Sequence, residues 1–525
     1  MWDIAMSEEQ NELVAALPDR ICDPVLRWAR VSPDRQALVE PSGAWSYGEL
    51  ASAIEGTRAW LLSRGVRPGD RVVLVCENCR MFVAFLLALA SLDAWAALVN
   101  ARLSAREVDE IREHCGARLV VYMTDVSSHA AEHAKRHNAI IEDVPMLGAA
   151  GVSAINECTS PEPLETVARD NVAVLIYTSG TTGVPKGVML THRNLLFMAT
   201  VSASIRALTV NDRLYGVLPM SHAVGLSVVL LGALVSGASV YLVSRFDPMT
   251  ARASIERDAI TIMLGVPSTF SQLLDYAKLR GLKELQFSAL RIISSSGAPL
   301  HADLKAKVEQ MFALPLHNGY GVTECSPTIA QANIEIRRTD TSVGEILPGT
   351  EVMLVEPGTD RPADGEIGEL WVRGPHIMKG YYRAPEATTC AVNADGWFNT
   401  RDLARLEGRN LFIVGRTKDL IVRFGFNVYP AEVEAVLNRH EAVLRSAVIG
   451  RTIEGKGGEE VIAFVQLRTG CSLTSNDIAR FAAQHLAPYK QPTHVFLLQE
   501  LPLTPTGKVA KNELMNSLQM QIHPS

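Results

Sequence analysis

"AVLIYTSGTTGVPKG", residues 173–187, sets five apolar positions directly against a loop of hydroxyls and glycines that closes on a lysine. The apolar half predicts a buried strand. Thr178, Ser179, Gly180, Thr181, Thr182 and Gly183 follow it, then Pro185 and Lys186. Glycines let backbone N–H groups turn toward one point, the hydroxyls add donors, and the lysine adds positive charge. Convergent donors of this kind suit a polyphosphate. The spacing is not that of a Walker loop, which needs Gly directly before Lys; Val184 and Pro185 intervene here.

Outward from this loop, apolar runs alternate with helical patterns over most of the first 330 residues. "RVVLVCEN" (71–78) precedes a helix around 80–92, and "RLVVYM" (118–123), "SVYLV" (239–243), "TIMLGVP" (261–267) and "LRIISSSG" (290–297) recur between helices. This is the βαβ rhythm of parallel sheets covered on both faces. Around 343–382 short strands punctuated by Gly, Pro and Asp predict an antiparallel, barrel-like unit. From about 416 a small α+β unit of roughly a hundred residues is expected. Its helices are "PAEVEAVLNRH" and "TSNDIARFAAQHL", and its strands are "SAVIGRTI" and "EEVIAFVQL".

Composition narrows the function. At 525 residues the chain is too long for one core. A formal charge of −7 disfavours nucleic-acid binding, and no block of like charges predicts a polybasic membrane patch. Eight cysteines are too sparse for a disulfide scaffold and fit a reducing cytoplasm. Cys76 and Cys79 form a lone C-x-x-C without the second pair a zinc site needs. The acidic N-terminus predicts no export signal. Residues 223–243 run uncharged for a bilayer-spanning length, yet Ser236 and Gly237 interrupt them where a helix C-cap would sit. A core helix, turn and strand are expected, with no transmembrane segment.

The loop at 177–187 resembles the phosphate-binding signature of the acyl-adenylate-forming enzymes: acyl-CoA synthetases, firefly luciferase and the adenylation domains of peptide synthetases. The resemblance runs from about Ser46 to Lys508, with motifs in the family's order. It implies an α/β fold: a large N-terminal domain of two parallel-type sheets with a distorted β-barrel, and a small mobile α+β C-terminal domain. The boundaries expected here are 1–416, with the barrel at about 335–416, and 417–525. The implied reaction joins a carboxylate to AMP, releases pyrophosphate and passes the acyl group to a thiol, with ATP, Mg²⁺ and CoA taking part.

The remaining motifs carry residue types suited to that chemistry. In "NGYGVTE" (318–324), Tyr320 offers a flat face to adenine, Thr323 a hydroxyl, and Glu324 a hard oxygen ligand for Mg²⁺. The resemblance adds Asn318, Gly319 and Gly321 to the nucleotide site and Val322 to the acyl site. "SSSGAPL" (294–300) supplies small residues for close backbone approach; Gly297, Ala298 and Pro299 are implied to line adenine, and Ser296 the acyl pocket. Asp402 in "GWFNTRDL" and Arg416 in "GRTKDLI" are implied ribose and phosphate ligands, with chemistry that fits. Lys508 in "PLTPTGKVAK" is the implied adenylation lysine, whose charge offsets the repulsion between two anions. Lys418 falls at the implied hinge. Phe424, Gly425 and Phe426 border the implied CoA tunnel, and Phe424 departs from the small residue common there.

The acid is constrained from the same text. "LPMSHAVGL" (218–226), with His222, and "LGVPSTFSQLL" (264–274), with Val266, match the family's acyl-pocket walls. The first has no acid for an α-amino group and the second no base for a second carboxylate, which disfavours amino acids and malonate-type diacids. An apolar monocarboxylic acid is expected, either a medium- or long-chain fatty acid or an aromatic one. The leading expectation is an acid:CoA ligase. The alternatives are an acyl-AMP ligase that loads a carrier protein and a non-catalytic acyl-nucleotide binder. Oligomeric state stays open, with a homodimer among the options.

Overall fold

The computed structural model describes residues 8–178, 185–359, 361–364, 366–423, 426–452, 459–468, 470–503 and 509–522. The fold is mixed α/β, with a large unit and a smaller one. The larger comprises Met1–Leu300, Leu304–Glu351 and Val372–Phe398; the smaller comprises His301–Asp303, Val352–Trp371 and Asn399–Ser525. The boundary expected at 416/417 lies inside the smaller unit.

In the larger unit, one sheet has the order Gly380–Tyr381, Lys186–Thr191, Val172–Thr178, Trp95–Asn100, Arg71–Cys76, Leu119–Tyr122, Gly148–Val152 and Ile140–Val144. Arg71–Cys76 is buried along its whole length and runs parallel to both neighbours, as its unbroken apolar run requires. Val172–Thr178 lies parallel to Trp95–Asn100, and the chain then reverses so that Lys186–Thr191 returns antiparallel to it. The second sheet has parallel neighbours Arg213–Gly216, Ile262–Gly265, Ile292–Ser295 and Leu316–Gly321, to which Thr328–Gln331 adds antiparallel. Helix Arg80–Ser91 is buried throughout Met81–Ala90. Cys79 accepts a hydrogen bond from the Phe82 N–H at 3.4 Å, so one thiol of the C-x-x-C pair is a helix cap, and burial pushes it up to about 12.

The apolar segment 223–243 folds as expected from its interruption. A helical run over 224–236 ends at Gly237, whose φ of 73° is the left-handed cap, and Ser239–Leu242 is a strand. A Cβ at Gly237 would also meet the Trp28 ring at 2.6 Å. Among the described residues no helix is long and apolar enough to cross a membrane. Unexpectedly, Val224–Leu231 is a π-helix, a rare local winding that the apolar pattern does not encode.

Within the smaller unit, the segments read as strands and helices beyond residue 416 form a sheet with helices against it. Val443–Thr452 and Glu459–Leu467 pair antiparallel, and His494–Leu498 adds parallel. Helices Pro430–Leu437 and Ser475–His485 cover this sheet through Val433, Leu437, Val461, Ala463, Ile478 and Ala482. Thr474 and Asp477 cap the second helix reciprocally.

Candidate active site

The hydroxyl loop is clamped at both ends. Thr178 faces Lys186, and Tyr177 faces Gly187, across the antiparallel register. A Cβ on Gly187 would meet the Tyr177 ring at 3.1 Å, so this glycine lets the tyrosine cross the base of the hairpin. The Tyr177 hydroxyl is hydrogen-bonded to Nδ1 of His114 at 2.9 Å, and that imidazole packs edge-on against Tyr177 and Tyr382. Burial pushes the phenol up and the imidazole down, the latter with help from Arg383, so the base of the hairpin is neutral and rigid. Ser179, Gly180, Thr181, Thr182 and Gly183 lie outside the described residues; the frame that holds them is defined by Thr178 and Lys186.

Lys186 and Glu324 converge through a residue that sequence reading missed. The Lys186 Nζ lies 5.0 Å from the centroid of the Tyr381 ring, and the Tyr381 hydroxyl donates to Glu324 Oε1 at 2.8 Å. Backbone bonds set this geometry. Gly380–Tyr381 pairs with Val188 and Met189, the Tyr382 N–H donates to the Gly187 carbonyl, and the Met378 N–H donates to the Glu324 carbonyl. Asn194 anchors the approach by donating to the carbonyls of Pro375 and Ile377. In the sequence "MKGYY" reads as part of the barrel texture, and nothing local marks its tyrosine as a neighbour of a loop two hundred residues earlier. The hairpin and the turn Thr323–Cys325 are thereby stitched together, with a cation, a phenol and a carboxylate in one row.

Leu316–Gly321 pairs antiparallel with Thr328–Gln331, with a register shift between Tyr320 and Gly321. A Cβ on Gly321 would sit 1.8 Å from the Pro327 carbonyl oxygen, and one on Gly319 would sit 2.6 Å from Gln331 Oε1. These glycines are required by the protein's own chain. Asn318 is likewise engaged internally, its amide donating to the Thr341 and Ser342 carbonyls.

Beside this hairpin opens a small cavity of about 30 Å³. Ser296, Gly297, Gly319, Tyr320 and Gly321 line it, as do Val224 and Val228 of the π-helix, Leu264, Pro327 and Thr328. His222, Val266, Ala298, Pro299 and Val322 are not among its lining residues. Val266 instead lies 3.6 Å from where a Gly297 Cβ would be, and the His222 N–H bonds to the Pro219 carbonyl. Asn78 holds that loop in place, donating to the carbonyls of Gly216 and Leu218 and accepting from the Met220 N–H. Two further lining residues, Arg206 and Gln331, come from segments that carried no functional signal. "LGVPSTFSQLL" has no base, but the cavity it borders does.

In the smaller unit Asp402 and Arg416 are cross-strand neighbours, with Arg416 Nε donating to Asp402 Oδ1 at 3.0 Å. Asp402 is buried and Arg416 exposed. Lys418 is exposed in the turn Thr417–Asp419, where the Thr417 hydroxyl donates to Glu369 at 2.6 Å. Ile421–Arg423 pairs with the strand that Phe426 opens. Phe424, Gly425 and Lys508 lie outside the described residues.

The chain is similar to known proteins over most of its length. The AMP-binding enzyme family model matches residues 25–382, and that of the AMP-binding enzyme C-terminal domain matches 432–508. A putative acyl-CoA synthetase of Bacillus subtilis, YngI, is 34% identical over 92% of this chain and 94% of its own length. A feruloyl-CoA synthase of an Amycolatopsis species is 33% identical over 93% and 97%. The O-succinylbenzoate coenzyme A synthetase (MenE) of Bacillus subtilis, solved with ATP and magnesium ion, superposes with a TM-score of 0.79 at 28% identity, over 94% of this chain and 99% of that one.

Proposed function

The chain belongs to the AMP-binding enzyme family, and from that premise we propose that it is an ATP-dependent acid:CoA ligase that works through an acyl-AMP intermediate. An oxygen of the acid's carboxylate bonds to the α-phosphorus of ATP as pyrophosphate leaves; the thiol sulfur of CoA then bonds to the acyl carbon as AMP leaves. The observation that carries this reading is the row Lys186, Tyr381 and Glu324 at the foot of the hydroxyl loop. A clamped donor loop with a lysine at its rim suits a triphosphate. Glu324, hydrogen-bonded by a neutral phenol, is the group that would hold Mg²⁺, which when bound neutralises phosphate charge. Thr323 shares the turn with Glu324 and presents its hydroxyl to the α-phosphate. Asp402 and Arg416 hold the ribose, and Lys508 supplies the adenylation cation after rotation about Lys418. By the family resemblance, CoA enters beside Phe424, Gly425 and Phe426.

The cavity takes the body of the acid. Its wall of Val224, Val228, Leu264 and Pro327 favours an apolar body. Between fatty and aromatic acids, the feruloyl-CoA synthase relative favours the aromatic class. Measuring CoA-dependent AMP release with hexanoate, palmitate and benzoate side by side tests the reading. AMP formation that needs both acid and CoA supports it, and acid-dependent AMP formation indifferent to CoA defeats the choice of acceptor.

A further inference from the structure

Arg206 closes the helix His192–Ile205 and is 3% exposed. Its Nη1 donates to the carbonyl and hydroxyl of Ser202, and its Nη2 donates to Gln331 Oε1 at 2.7 Å. A guanidinium has five N–H donors, so these contacts leave capacity over, and Nε is buried without a hydrogen-bond partner. All of these acceptors are neutral. Among the described residues no salt bridge reaches this guanidinium, and burial alone acts on it, pulling its pKa down to about 10. The nearby buried His317 adds no negative charge; burial and Arg206 itself hold that imidazole down. A buried cation without an anion is costly.

Arg206 lines this cavity together with Gln331, whereas Lys186, Tyr381 and Glu324 do not. We propose that Arg206 is a specificity-determining residue, and that the acid activated here carries an anionic or hydrogen-bond-accepting oxygen at the end remote from its reacting carboxylate. This rests on the ligase reading above and deepens it: the acid is apolar along its length and oxygen-tipped. Gln331 keeps the guanidinium in register, since its own amide donates to Ser294 Oγ and to the Asn318 carbonyl. A missing partner for a buried donor is a strong discriminator, because the site rejects a ligand that leaves it unpaired.

The test uses the full-length protein with three acids of one shape: 3-phenylpropanoate and its 4-hydroxyphenyl and 4-carboxyphenyl counterparts. CoA-dependent AMP formation should favour at least one oxygen-tipped acid over the plain one by about ten- to a hundredfold in kcat/KM. Arg206→Met should bring that ratio close to one, and Arg206→Lys should keep part of it. A wild-type enzyme that uses the plain acid as well as or better than both others overturns the proposal, and this arm needs no variant to fold. Equal losses for all three acids in Arg206→Met also overturn it, since they mark a merely structural arginine. A protein that forms no AMP with any acid would instead sink the ligase reading itself.

Discussion

Replacing Tyr381 with phenylalanine removes one hydroxyl and leaves the ring in place. That hydroxyl donates to the Glu324 carboxylate at 2.8 Å from a side chain only 9% exposed. Hydrogen bonds to charged groups contribute about 1.5–3 kcal/mol when buried; partial access of water to this carboxylate puts the loss at about 1–2 kcal/mol. At 1.4 kcal/mol per decade this is roughly a 5- to 30-fold fall in kcat/KM for MgATP. Tyr381→Leu also removes the ring beside Lys186, a cation–π contact worth a further ~0.5–1 kcal/mol. The assay is the initial rate of pyrophosphate release at saturating acid with MgATP varied, alongside a thermal melt of each variant. The phenylalanine variant should melt close to wild type and lose ATP efficiency, with the leucine variant lower still. If the phenylalanine variant keeps wild-type ATP kinetics, the phenol does not orient Glu324, and the row from Lys186 to Glu324 is packing rather than site.

Gly321→Ala places a Cβ 1.8 Å from a backbone carbonyl that no rotamer change can clear; urea unfolding should show a loss of about 3 kcal/mol or more. His376 is fully buried, stacked on Phe197, and burial holds its imidazole down to about 3, so the folded chain keeps it neutral while the unfolded chain protonates near its ordinary 6.5. Its contribution to stability is complete above pH 6.5 and is lost as the pH falls toward 3. At pH 5 the wild type should therefore have lost ~2 kcal/mol more than His376→Phe has, read as the difference between their urea midpoints at pH 7 and pH 5. Lys508→Ala should slow acyl-adenylate formation by orders of magnitude yet spare thioester formation from supplied acyl-AMP; equal damage to both half-reactions contradicts an adenylation-specific lysine.

The parallel strands and the small α+β unit were legible because their signals are local. An unbroken run such as "RVVLVC" suits a strand buried on both faces, and Thr474 three residues before Asp477 is a cap whatever surrounds it. The break at Gly237 was legible for the same reason, since a left-handed cap needs glycine. The π-helix at Val224–Leu231 was not, because an all-apolar segment has no face to reveal its winding.

The candidate site divides along the same line. Residue types and spacing marked the phosphate loop and the "NGYGVTE" turn, and the family resemblance they carry implied the chemistry class, because donors that converge on one anion and lie close in the chain leave a local pattern. Tertiary structure decided which distant groups complete them. Tyr381 reaches Glu324 only through strand pairing with the hairpin, and Arg206 meets Gln331 across 125 residues. It also gave Gly319, Gly321 and Asn318 close contacts with the protein's own chain. A lone tyrosine or a helix-ending arginine carries no pattern. Its role is set by what the fold brings against it, and burial, which turns a common residue into a costly one, exists only once the chain has packed.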